Sequence, residues 1–117
     1  MGDYNLAESM ENRDGLIWFD GEFVDWKSAN IHILNHGLHY ASSVFEGERS
    51  YSGKIFKVRE HTERLFSSAD ALDLKIPFSI DQIIDASYES IKLIIKKINR
   101  NLKYFIILII ILLMNYE

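Results

Sequence analysis

The sequence contains no cysteine, and that absence excludes disulfide frameworks, thiolate zinc sites and cysteine nucleophiles together. Metal or covalent chemistry has to come from histidine, carboxylate, serine or lysine. Positive charge is not in excess either, since 13 Lys and Arg against 17 Asp and Glu give a net charge of -4 and a pI near 5.5. Without a basic field to gather phosphate backbones, nucleic acid is not an expected partner, and small or proteinaceous ligands are favoured. The opening "MGDYNLAESMENRDG" lacks the apolar stretch of a signal peptide. Its Met-Gly start also lacks the Ser or Thr that myristoylation requires, because Leu6 stands there. The cytoplasm is the expected compartment. The longest apolar run, "YFIILIIILLM", would span roughly 16 Å as a helix against about 30 Å of bilayer hydrocarbon, so no membrane crossing is expected.

What is present reads as one globular domain: 117 residues, 48% hydrophobic and 26% charged. Residues 1–15 are polar and unpatterned, a flexible leader. In "LIWFDGEFVDW", aromatic and β-branched runs flank Asp20-Gly21, a pair suited to a turn with positive φ at both central positions. This predicts a hairpin with strands near 16–19 and 22–25. A second hairpin is expected from "SVFEGERSY" and "KIFKV", joined across Ser52-Gly53.

From Arg59 the period becomes helical. "REHTERLFSSADALDL" places Leu65, Ala69 and Leu72 on one stripe, and Pro77 is expected to close the segment. A second helix opens with Ser79 and Gln82 at capping-box spacing. It continues through isoleucines at three- and four-residue steps, with Lys92, Lys96 and Lys97 gathered where cations suit the helix dipole. Two hairpins followed by two helices define an α+β fold. The apolar stretch within 104–117 breaks with this composition. As a strand it suits a buried central position, and uncovered it is an aggregation hazard.

Between the hairpins lies "NHGLHYASSVFEGERSY", which packs two histidines, two tyrosines, a phenylalanine, two glycines, two glutamates and an arginine into seventeen residues. It follows neither the helical nor the strand period cleanly. Together with "IWFDGEFVDWKSANIHILNHG" before it and "FKVREHTERLFSSADAL" after it, this stretch resembles the N-terminal small domain of the fold type IV aminotransferases. These enzymes depend on pyridoxal 5'-phosphate, and the branched-chain amino acid aminotransferases are the most similar. The resemblance covers about residues 16–103. It implies an α+β lid of antiparallel hairpins packed with two helices, in a family built from homodimers. Tyr40, Phe45 and Gly47 match positions that line the pocket for a branched aliphatic side chain. Aromatic walls bury methyl groups at about 0.8 kcal/mol per CH₂, and a glycine lets the backbone come close. Arg64 matches the arginine that binds the cofactor phosphate, where a planar guanidinium gives two parallel charge-assisted bonds. The implied substrates are leucine, isoleucine or valine with 2-oxoglutarate.

His32, His36 and His39 would share one face of a helix, but the flanking residues read as strand and turn and no carboxylate completes a set, so no metal site is expected. Glu46 and Arg49 read either as a local ion pair or as borders of the entrance, with the border favoured for Arg49. Transamination needs a lysine that holds the aldehyde and an acid beside the pyridine nitrogen. Lys54, Lys57 and Lys92 sit in hairpin or helix contexts and match no such position, so no catalytic residue is assigned. Where the resemblance implies a strand with arginine and proline, "YFIILIIILLMNYE" has neither. The expectation is a truncated branched-chain aminotransferase, inactive by itself, whose residues 104–117 form an aberrant apolar tail. The alternative is a non-catalytic interaction module or the lid domain of a split enzyme.

Overall fold

A computed structural model describes residues 12–98 and, for the backbone alone, the strand at 104–112. Most of the expected leader (1–11), the link 99–103 and the end of the tail (113–117) lie outside the described residues. The chain divides into two compact units, Met1–Asn30 and Ile31–Glu117.

The first unit holds the Asp-Gly hairpin. Strands β1 (Leu16–Phe19) and β2 (Glu22–Asp25) pair antiparallel, with Phe19 opposite Glu22 and Leu16 opposite Asp25. Asp20 at φ 50° and Gly21 at φ 96° make the turn with both central residues left-handed, which is the twist that suits the two strands. A 3₁₀ turn at Trp26–Ser28 follows, and the Trp26 amide donates to the Gly15 carbonyl at 2.9 Å across the open end of the hairpin.

The second unit begins with a helix that the sequence reading missed. Helix α1 (His36–Tyr40) is five residues long, too short to show a period. It forms because the Asn35 side chain accepts from the Gly37 amide at 2.9 Å, and it stops where Ala41 turns left-handed at φ 54°. Strand β3 (Ser43–Tyr51) then turns through Ser52 and Gly53, both at positive φ, into β4 (Lys54–Ile55). The expected strand "KIFKV" is cut to two residues because Lys57 adopts φ 50° and opens a helix.

That helix, α2 (Val58–Ala71), lies against β3. Its buried stripe is Thr62, Leu65 and Ala69, joined by Val44 from β3 and by Leu74 beyond the helix end. Leu72, expected on the stripe, is 50% exposed, because the helix has already ended and the amides of Asp73 and Leu74 fold back onto the Asp70 and Ala69 carbonyls. The terminator is therefore left-handed Asp73 at φ 56°, four residues ahead of Pro77. Helix α3 (Ile80–Ile98) starts at the expected capping box. The Gln82 amide donates to Ser79 Oγ at 3.1 Å and the Ser79 amide donates to Gln82 Oε1 at 2.8 Å. It buries Ile83, Ser87 and Ile91 at four-residue steps.

The apolar run forms strand β5 (Tyr104–Leu112), antiparallel to β3 from Ser43 opposite Leu112 to Tyr51 opposite Tyr104. The sheet order is β4-β3-β5, so the central place expected for the tail belongs to β3, and β5 stands at one end. The α+β class holds, with antiparallel pairs throughout.

Candidate functional site

Strand β3 organises the site because successive side chains in a strand point to opposite faces. Val44, Glu46, Glu48 and Ser50 are buried, while Phe45, Gly47, Arg49 and Tyr51 are exposed. The stretch that showed no clean period as a sequence thus alternates strictly, with polar residues on the buried side. Phe45 is 69% exposed, and a Cβ added at Gly47 would meet nothing within 4 Å. The outer face is therefore a flat strip between the Phe45 ring and the Arg49 side chain. Tyr40 stands at the end of α1, 73% exposed, with its ring 4.4 Å from that of His36. Phe45, Gly47 and Arg49 are thereby brought onto one face.

Arg64 joins the other side of the strand. Its Nε donates to Glu46 Oε1 at 2.5 Å and its Nη2 donates to Glu46 Oε2 at 2.8 Å, while His61 Nδ1 lies 2.8 Å from the same Oε2. The structure does not place Arg64 on the face that carries Phe45, Gly47 and Arg49. Glu46 and Arg49 do not pair, because three steps along a strand put them on opposite faces. The partners Glu46 finds instead come from one face of α2, where His61 and Arg64 are three residues apart.

The electrostatics follow from burial. Bonding to Arg64 holds the Glu46 carboxyl below its usual range; burial opposes this and the His61 bond adds to it. The same contact raises the already basic Arg64 further. Glu48 differs. It is fully buried, and its two carboxyl oxygens and the neighbouring Ser50 Oγ have no hydrogen-bond partner among the described residues. Burial pushes its carboxyl up to about 7, against a smaller opposing effect of His61 and with the charge of Glu46 contributing. The sequence reading missed the roles of His61 and Glu48; the available signal was the period-two alternation and the His61–Arg64 spacing.

A guanidinium has five N–H donors, and the side-on grip on Glu46 uses two of them. The rest belong to a side chain that is 68% exposed, and they form a fork suited to an oxyanion. The donor set therefore fits a phosphate group. The histidines serve local structure: His32 Nδ1 accepts from the Leu34 amide, His36 Nδ1 lies 2.9 Å from Ser42 Oγ, and His39 Nε2 lies 2.8 Å from the Ile33 carbonyl. Among the described residues no three histidine or carboxylate groups are placed to hold a metal ion. Nor is any described helix long and apolar enough to cross a membrane.

Residues 43–107 match the family model of the class IV amino-transferases. A relative from Rickettsia felis, named a probable branched-chain-amino-acid aminotransferase, is 54% identical over 83 residues, covering 71% of this chain and 27% of its own length. The branched-chain aminotransferase of the archaeon Thermoproteus uzoniensis, crystallised with norvaline, superposes with a TM-score of 0.75 at 27% identity, over 88% of this chain and 34% of that one. A T.th. branched-chain amino acid aminotransferase crystallised with pyridoxamine 5'-phosphate gives a TM-score of 0.64 at 36% identity, over 82% and 32%. The chain thus spans about a quarter of the curated relative and about a third of the solved structures.

Proposed function

The chain belongs to the class IV amino-transferase family, and from that premise we propose that it forms the small domain of a branched-chain amino acid aminotransferase. Its substrates would be leucine, isoleucine or valine with 2-oxoglutarate. The division of β3 into two faces is the observation that carries this reading. The open strip formed by Phe45, Gly47 and Arg49, with Tyr40 before it, suits the wall of a pocket for an aliphatic side chain, which an aromatic ring shields from water and a glycine leaves room for. Arg49 supplies a cation at the rim that can attract and orient a substrate carboxylate.

Arg64 is the residue that would hold the phosphate of pyridoxal 5'-phosphate. When bound, that cofactor supplies the electrophilic carbonyl and the electron-accepting ring. This chain's part is to bind, orient and exclude water. Every lysine whose side chain is described is exposed, as Lys54, Lys57 and Lys92 illustrate, and none sits in an apolar pocket that would activate an amine. The 117-residue polypeptide by itself is therefore expected to show no turnover. Residues 16–103 are the domain proper in this reading, to which 104–112 add strand β5.

The test compares Arg64→Ala with Lys57→Ala, a substitution at an exposed position whose ammonium lies 5.6 Å from the Phe56 ring centre. Equilibrium dialysis of pyridoxal 5'-phosphate should show a loss of affinity in the first and none in the second. Equal affinity in the two variants would refute the assignment of Arg64.

A further inference from the structure

We infer that Glu46 is a positioning residue for Arg64: it grips the guanidinium side-on through Nε and Nη2, so that the end-on fork is presented to the phosphate of the cofactor. The inference rests on the reading of Arg64 given above. Its support is the asymmetry of the pair. Glu46 is 5% exposed on the middle strand of the sheet, whereas Arg64 is 68% exposed on a helix surface. A carboxylate so fixed cannot follow the arginine, so the arginine is fixed by it.

The bond from His61 Nδ1 to Glu46 Oε2 pins the carboxylate from a second direction, which distinguishes the arrangement from a surface ion pair between two mobile side chains. Arginine otherwise loses considerable rotamer freedom when it binds an anion. Here the two bonds to Glu46 impose that order before any ligand arrives, which is how preorganisation raises affinity. The side-on edge is occupied, so an incoming oxyanion meets only the outer edge, formed by the two terminal nitrogens. Glu46 stays ionised near neutrality because the Arg64 bond holds its carboxyl below the usual range, so the grip persists under working conditions.

Charge and orientation make opposite demands, and this makes the inference testable. Glu46 places a negative charge beside an arginine proposed to bind an anion. If charge alone mattered, Glu46→Gln would strengthen phosphate binding. If Glu46 positions the fork, the same change weakens it, because a Gln amide presents one acceptor and one donor to a group that offers donors only.

The experiment titrates the full chain and its variants with pyridoxal 5'-phosphate, followed by the ³¹P resonance, and with pyridoxal as the probe lacking phosphate. Glu46→Gln is expected to lower affinity for the phosphorylated probe by about tenfold, the scale on which orienting partners of ligating side chains act, and to leave pyridoxal unchanged. Combined with Arg64→Ala it should add no further loss, since both changes remove one function. Circular dichroism checks the fold of each variant. Should Glu46→Gln fail to fold, Glu46→Asp keeps the charge but withdraws it by one methylene, and the same loss is expected. Unchanged or tighter binding in the folded Glu46 variant, alongside a loss in Arg64→Ala, overturns the inference and leaves the reading of Arg64 intact. No loss in Arg64→Ala overturns both.

Discussion

Raising the pH should destabilise the second unit through Glu48, and replacing that residue should abolish the effect. The carboxyl is fully buried beneath α2, has no hydrogen-bond partner among the described residues, and titrates at about 7 against an ordinary 4.5. In the unfolded chain the group loses its proton near 4.5; in the folded chain it keeps it until about 7. The folded state is therefore favoured by this group below the lower value and progressively loses that advantage between the two, with little further change above the higher one. Each pH unit of the gap carries about 1.4 kcal/mol, so the loss from about pH 4.5 to about pH 8 is on the order of 3 kcal/mol, a large share of the roughly 5–15 kcal/mol that holds a typical domain. Glu46 acts in the opposite sense, since its lowered carboxyl contributes stability above its ordinary range that is lost as pH falls. Glu48→Gln mimics the protonated acid in size and neutrality. It should match the parent near about pH 4 and exceed it by up to about 3 kcal/mol near about pH 8. Urea unfolding should be followed by far-ultraviolet circular dichroism, because α2 and α3 of the second unit dominate the helical signal. Parallel pH profiles for the parent and Glu48→Gln would refute the reasoning.

Three further outcomes are expected. Leu65→Ala removes a side chain with no exposed surface and should cost about 2–5 kcal/mol in the same unfolding assay. Ser79→Ala breaks one half of the capping box at the start of α3 and should cost about 1 kcal/mol, with Gln82→Ala giving a similar loss of helical signal on heating. Deleting residues 104–112 strips β3 of a partner along its whole length, so the shortened chain should melt less cooperatively and aggregate sooner on size-exclusion chromatography; a sharper melt after deletion would show that β5 adds nothing to the fold.

The features legible in the sequence are those whose cause is local. Asp20-Gly21 and Ser52-Gly53 turn the chain because the backbone needs positive φ there, and Ser79 with Gln82 caps α3 through bonds three residues apart. What stayed hidden depends on distant partners. Nothing near Glu46 announces that its hydrogen-bond partners are His61 and Arg64, 15 and 18 residues further on. A glutamate on a strand is ordinarily taken as solvent-facing, so the alternation of β3 is disguised by acids on the inner side and a phenylalanine on the outer. Pro77 reads as a stop, but the chain has already turned at Asp73, whose left-handed backbone carries no strong sequence signal. The role proposed for Arg64 comes from family resemblance, since a helical arginine beside a leucine stripe has no distinguishing pattern of its own.

The two faces of β3 also bear on how this segment can change over generations. Substitutions act on one face at a time, but inserting or losing one codon between Val44 and Ser50 exchanges the faces for everything beyond it. A single residue inserted between Val44 and Phe45 would turn both acids outward, separate Arg64 and His61 from their carboxylate, and press Phe45 and Arg49 against the helix. The nine-residue pairing with β5 and the tight turn at Ser52-Gly53 leave little slack to absorb the slip. The segment can therefore vary in spelling but hardly in length, and its reading is kept in phase by the helix on one side and the open strip on the other.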